Sequence, residues 1–162
     1  MNKDSFDKNG RFVAPMSQME EMIREAIDGG GQFSMITAGV SMMPLLRNRR
    51  DTVVLVKKGE KLKCYDIPLY KRKNGQFVLH RIIREDTCGY VTLGDNQLKC
   101  EKGVSHDDCL AVVSKIIRNG REIDISHSFF YSVYVFLWCR CYFLRWIILK
   151  PIFIVRHLLK NK

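Results

Sequence analysis

Hydrophobic residues recur at helical spacing near the start of the chain and in strand-like runs through its middle. Apolar side chains at positions 16, 19, 22, 23, 26 and 27 form one face of a short helix, with Ser17 as a possible N-cap and the glycines at 29–31 as its end. The β-compatible runs that follow are 32–38, 52–56, 67–70, 76–83, 89–93 and 110–117. Turn residues such as Asn74-Gly75 separate these runs. The pattern predicts a mainly β (α+β) protein with a short N-terminal helix.

The pattern changes again near residue 125, after which the chain is apolar and aromatic. Residues 129–149 include only two charged side chains, Arg140 and Arg145, and could span a bilayer by length. Each arginine at the centre of such a helix costs about 2.5–3.5 kcal/mol, whereas each leucine returns only about 0.3–0.6 kcal/mol. An aromatic stripe follows helical spacing and consists of Tyr131, Tyr134, Trp138, Tyr142 and Trp146. We expect a helix in the membrane interface; a true span and a helix buried against protein are the alternatives.

Composition divides the 162 residues into a lead-in with the helix (1–30), a β domain (31–126) and a helical tail (127–162). The net charge is +10, and the tail contains six basic residues and no acidic one. Positive charge on the most hydrophobic part of the chain favours an anionic membrane surface as partner over nucleic acid. The six cysteines lack zinc-ligand spacing, so we expect free, mostly buried thiols, with disulfides as the alternative, and neither a metal nor another cofactor.

Three short segments carry residues suited to hydrolysis. Residues 39–44 read GVSMMP and present Ser41 between a glycine and a proline, which favour an ordered turn. His80 lies within an apolar strand pattern, where partial burial would keep the imidazole neutral and able to accept a serine proton. Asp95 follows in the sequence Leu-Gly-Asp-Asn, and an aspartate near His80 would orient the imidazole. Each segment alone is also typical of ordinary loops and strands.

The order of these segments resembles the signal peptidase I and LexA-like serine peptidase superfamily. The matching blocks are Gly39-x-Ser41-Met42-x-Pro44, Asp51-x-Val53-x-Leu55-x-Lys57, Asp66-Ile67-x-x-Tyr70, His80-Arg81-Ile82-Ile83 and Gly94-Asp95-Asn96, and they span about residues 33–121. The histidine at the base position is similar to the Ser-His branch, which includes endoplasmic-reticulum, archaeal and SipW-type signal peptidases.

The resemblance implies an antiparallel β fold with Ser41 as nucleophile and His80 as general base. It also implies Asp95 as the aspartate of the Gly-Asp-Asn block, with Asp107 or Asp108 as a later acidic position. The strand leading to the serine, with Phe33, Met35 and Thr37, would pair with an extended substrate. The backbone N–H of Ser41 would contribute to the oxyanion hole.

Three departures from the superfamily pattern matter. Gly39 stands where many members have serine or threonine, and Arg50-Asp51 stands for the usual Gly-Asp. The apolar segment follows the catalytic residues instead of preceding them. The resemblance implies an endopeptidase that removes signal or leader peptides. Because the apolar segment comes after the candidate catalytic residues, we expect this tail to hold the protein at the inner membrane with the domain on the cytoplasmic side. The alternatives are a non-catalytic membrane adaptor that binds peptides and a LexA-like self-cleaving regulator.

Overall fold

The computed structural model describes residues 16–125, 128–141, 143, 145 and 147–151. Within these residues it has helix α1 (Met16–Asp28), nine strands, helix α2 (Phe129–Tyr134) and a π-helical turn at Val135–Arg140. The strands are β1 (Phe33–Ile36), β2 (Thr52–Val56), β3 (Pro68–Lys71), β4 (Phe77–Leu79), β5 (Arg81–Asp86), β6 (Gly89–Leu93), β7 (Glu101–Val104), β8 (Cys109–Arg118) and β9 (Arg121–Asp124). The predicted mainly β class is confirmed.

Two antiparallel sheets make up the β structure of the described residues. The larger sheet has the order β1-β2-β8-β3-β4, and β9 pairs with the far half of β8. The smaller sheet has the order β5-β6-β7. The larger sheet curls, so its two end strands, β1 and β4, line opposite parts of one groove. A curled sheet with two free edges can pair with an added extended segment.

The hydrophobic core lies between the larger sheet and helix α1. Ile23 and Ile27, on one face of α1, are almost fully buried against the sheet. The sheet contributes buried branched side chains, which are Val53, Leu55, Ile67, Leu69, Leu110, Val113 and Ile116. Met42 and Leu46 join this core from the loop that carries Ser41. The loop that carries the candidate nucleophile is therefore anchored in the core by two residues that follow Ser41.

The predicted run at 76–83 is two strands rather than one. It is interrupted at His80, so that β4 belongs to the larger sheet and β5 to the smaller one. Periodicity cannot show such a change of sheet, because both halves keep an extended backbone. The short strands β7 and β9 were not predicted, since Glu101–Val104 and Arg121–Asp124 lack runs of β-branched residues.

The C-terminal segment, meaning the described residues of 128–151, packs against the β domain. The hydroxyl of Tyr131 accepts a hydrogen bond from Arg81 of that domain. The hydroxyl of Tyr134 and the indole N–H of Trp138 both donate to Asp95. The expectation that this aromatic stripe faces a membrane interface is therefore wrong for these three residues, while Tyr142 and Trp146 lie outside the described residues. In the part of the chain that is described, no helix combines the length and the hydrophobicity that crossing a membrane requires.

All six cysteines are free thiols. The expectation of mostly buried thiols is wrong, because only Cys109 is buried, whereas Cys64 and Cys88 are exposed.

Candidate active site

Ser41 lies half-buried on the loop between β1 and β2. The base of this loop is closed by Thr37, whose backbone N–H and hydroxyl both donate to the carbonyl oxygen of Asp51, each at 3.1 Å. Near the tip, the side-chain oxygen of Asn48 accepts from the N–H of Gly39 at 2.9 Å. Gly39 has a φ of +105°, which side-chain-bearing residues rarely adopt. This backbone geometry explains why a glycine stands at position 39.

Asp51 connects the same loop to β8 through two arginines. Its carboxylate is fully buried and accepts hydrogen bonds from Arg47 at 2.8 Å and from Arg118 on β8 at 2.6 Å. Burial alone would raise the pKa of Asp51, but the bonds from Arg118 and Arg47 outweigh it and lower that pKa to about 2. The carboxylate therefore stays charged and ties the Ser41 loop to the longest strand of the sheet.

The turn after β6 supports the backbone of Ser41 directly. Asn96 donates its N–H to the carbonyl oxygen of Ser41 at 2.7 Å and its side-chain amide to the carbonyl of Val40 at 3.0 Å. A Cβ atom at Gly94 would lie 2.7 Å from the Ser41 carbonyl oxygen, so only glycine fits there. The Gly-Asp-Asn block thus positions the candidate nucleophile in two ways. Asn96 donates two hydrogen bonds to main-chain carbonyls of the Ser41 loop, and Gly94 lets the two chain segments approach closely.

His80 lies at the junction of the two sheets, and its side chain is only 2% exposed. Burial lowers the pKa of the imidazole from its usual range to about 4, and the positive charge of Arg72 adds to that effect. Nearby negative charge on Glu101 raises the pKa by less. The imidazole is therefore neutral at pH 7, which is the state that a general base needs.

Hydrogen bonds around Tyr70 identify the tautomer of His80. The Tyr70 hydroxyl donates its one proton to Glu101 Oε2 at 2.8 Å and lies 3.2 Å from His80 Nδ1. Arg72 holds Glu101 with bonds of 2.7–3.0 Å, and this contact lowers the pKa of Glu101, so the carboxylate is ionised and can only accept. Nδ1 of His80 must then carry a hydrogen and donate to Tyr70. The lone pair of Nε2 is left to take a proton.

Thr92 completes this network. Its hydroxyl lies 3.1 Å from the Tyr70 oxygen and, by the same reasoning, donates to it. Burial also raises the pKa of Tyr70, so the phenol keeps its proton. Tyr70 and Glu101 were not predicted as site residues from the sequence. Tyr70 stood only as part of a matching block, and Glu101 lies on β7, which had no strand pattern. No spacing rule places a carboxylate on one sheet beside a phenol on another.

Asp95 does not bond to the imidazole. Its fully buried carboxylate forms an ion pair with Arg81 at 2.7 Å and accepts from the Tyr134 hydroxyl at 2.9 Å. The charge of Asp95 acts on the pKa of His80 only through space, and more weakly than that of Glu101. The predicted contact between Asp95 and His80 is therefore absent. His80 instead contacts Tyr70, which is hydrogen-bonded to Glu101. Asp95 instead fixes the turn that supports Ser41.

The later acidic candidates lie elsewhere. Asp107 and Asp108 are exposed between β7 and β8, and neither lines the groove that contains Ser41. Asp108 caps its own turn by accepting from the N–H of Ser105 at 2.9 Å. The geometry does not bring either aspartate to His80.

Ser41 and His80 line the same groove, which has a volume of about 610 Å³. It runs between the two end strands of the larger sheet, with Met35 from β1 on one side and Leu79 from β4 on the other. Thr37 also lines it, whereas Phe33 packs against the core and does not. No hydrogen bond joins the Ser41 hydroxyl to His80, and within the described residues the backbone N–H of Ser41 has no acceptor.

No group of three histidine, cysteine, aspartate or glutamate residues able to hold a metal occurs among the described residues. Comparisons with protein-family models, with curated proteins and with solved structures found no match to this chain. The groove, the neutral imidazole and the fixed serine loop are therefore what a functional proposal must rest on.

Proposed function

We propose that the chain is a serine endopeptidase that removes signal or leader peptides from exported polypeptides. One observation carries the proposal: a serine on a fixed loop and a neutral histidine with a free Nε2 lone pair line one groove between two strand edges. A serine hydroxyl becomes an effective nucleophile when such a base takes its proton.

The groove suits an extended polypeptide better than a compact ligand. Strands β1 and β4 are the ends of the larger sheet, so each has backbone groups available for pairing with an added segment. Met35, Ile36 and Leu79 give the groove apolar walls. This arrangement supports the proposal that the chain has the antiparallel fold of the signal peptidase and LexA-like superfamily.

The proposed reaction begins when Ser41 Oγ attacks the scissile carbonyl carbon and its proton passes to Nε2 of His80. The oxyanion of the tetrahedral intermediate is stabilised by the backbone N–H of Ser41. The imidazolium then protonates the leaving amine, which departs and leaves an acyl-enzyme on Ser41. Water, deprotonated by His80, hydrolyses this ester and restores the serine.

The Tyr70–Glu101 pair assists each proton transfer. The ionised Glu101 lies beyond Tyr70, and its negative charge favours the imidazolium that forms transiently on His80. The Tyr70 oxygen accepts from Nδ1 and keeps the ring oriented with Nε2 available. Tyr70 and Glu101 are thus positioning residues in the proposal, since they act on the substrate only through His80.

Cleavage of a defined peptide mixture tests the proposal. We expect the full chain to generate new termini detectable by mass spectrometry, with both Ser41→Ala and His80→Ala inactive and still folded by circular dichroism. Ser132→Ala, at an exposed serine on α2 that does not line the groove, is the matched control and should cleave as wild type does. Full activity of Ser41→Ala would contradict the proposal. Peptide binding by wild type without any turnover would instead support the non-catalytic adaptor.

A further inference from the structure

The outer face of the C-terminal segment is unusually apolar for a protein surface. Eight large hydrophobic side chains are exposed there, including Phe129 at 75%, Phe130 at 84% and Phe143 at 69%. In the rest of the described chain only three large hydrophobic residues are as exposed, and they are Met22, Ile36 and Val40. Exposed apolar residues concentrated on one element mark an interaction surface.

This face cannot turn inward while the domain keeps its structure. The opposite face is hydrogen-bonded to the turn after β6, because Tyr134 donates to the Asp95 carboxylate and Trp138 Nε1 donates to the Asp95 carbonyl, each at 2.9 Å. The Arg81 side chain also donates to the Tyr131 hydroxyl at 2.5 Å. Rotating the segment would leave the buried Arg81–Asp95 pair without these partners, at a large desolvation cost. The phenylalanines therefore stay outside.

Charge distinguishes the occupants that could cover this face. Residues 127–162 contain six basic side chains and no acidic one, and both Arg140 and Lys150 are exposed on the segment. A second copy packed symmetrically on the same face would bring like charges together, which is unfavourable. An anionic bilayer offers an apolar interior to the phenylalanines and negative headgroups to the basic residues.

We infer that the outer face of the C-terminal segment is a binding surface for bilayers that contain anionic lipid. The segment lies along the membrane surface, with its apolar side chains inserted among the acyl chains and its other face kept on the β domain. The inference rests on exposure and charge, so it holds whether or not the groove cleaves peptides.

Flotation with vesicles tests this inference on the full chain. We expect binding to phosphatidylcholine vesicles that contain phosphatidylglycerol, and much weaker binding to phosphatidylcholine alone or at 0.5 M salt. The double variant Phe129→Ser with Phe130→Ser should lower the partition coefficient at least tenfold. Arg140→Gln should lower it roughly fivefold, because one basic residue near an anionic surface contributes about that factor.

Matched controls keep the test specific. Met22→Ser removes an exposed apolar side chain from α1, and Lys102→Gln removes an exposed charge from β7, so both should bind within about twofold of wild type. Ser41→Ala should also float as wild type does, which separates this test from the peptidase proposal. Absence of flotation with anionic vesicles at low salt, or equal binding by the double phenylalanine variant, overturns the inference. Dimerisation abolished by that variant, without vesicle binding, overturns it in favour of a second copy.

Discussion

Acidification from pH 7 to pH 4 should destabilise the fold through His80. The imidazole is only 2% exposed and its pKa is lowered to about 4, whereas an unfolded chain has an ordinary histidine with a pKa of about 6.5. The unfolded state therefore binds a proton more readily than the folded state does. The contribution of His80 to the free energy of unfolding is therefore complete above about pH 6.5 and is lost as the pH falls towards 4.

The size of the effect follows from the difference between the two pKa values. A fall from 6.5 to about 4 corresponds to about 3 kcal/mol of folding free energy, all of it lost over that pH range. Asp51 contributes in a separate range, because its folded pKa of about 2 lies below the ordinary 3.8 and its contribution is lost only below about pH 4. The two groups can therefore be distinguished by pH.

Urea unfolding at pH 7.5 and at pH 4.5 measures the effect, with His80→Gln as the comparison. The variant should lose less stability between these pH values than wild type, by about 2–3 kcal/mol. Histidine C2–H resonances, with that of His80 identified by its absence in the variant, should show one imidazole that titrates near pH 4. Titration of His80 above pH 6, or an identical pH dependence in the variant, would contradict a buried imidazole that is neutral in the folded state.

Three further substitutions test the geometry of the site. Tyr70→Phe removes the acceptor for His80 Nδ1, so the kcat for peptide cleavage should fall on the order of 100-fold with KM little changed, and an equal rise in KM would argue for a substrate contact instead. Asp51→Asn removes a buried charge between two arginines and should lower the free energy of unfolding by about 3 kcal/mol in urea titrations; a change below about 1 kcal/mol would contradict this role. Gly94→Ala places a methyl group against the Ser41 carbonyl, so cleavage should fall on the order of 100-fold while circular dichroism stays native, and retained activity would show that the turn does not position the serine.

Local patterns in the sequence predicted much of the secondary structure. The apolar face of α1 and the β-branched runs of β2, β6 and β8 are strong because each element buries its hydrophobic side chains in a regular order. The break at His80 could not be predicted in this way, since the chain leaves one sheet and enters another without losing its extended backbone. The sequence also could not show that the aromatic stripe faces the β domain, because Tyr134 and Trp138 bond to Asp95, which is about 40 residues away along the chain.

Sequence alone determined the class of the fold, the candidate serine and histidine, and the basic, apolar character of the tail. Those features depend on residue type and short-range spacing, which periodicity and motif order record. The tertiary fold was needed to show that Tyr70, bonded to Glu101, lies next to His80 in place of Asp95. It was also needed to show that Asp95 connects the C-terminal segment to the turn that supports Ser41. The packing of the two sheets and the C-terminal segment determines which charged groups lie next to a buried side chain. Sequence patterns do not record this, because the packing brings together residues that are far apart along the chain.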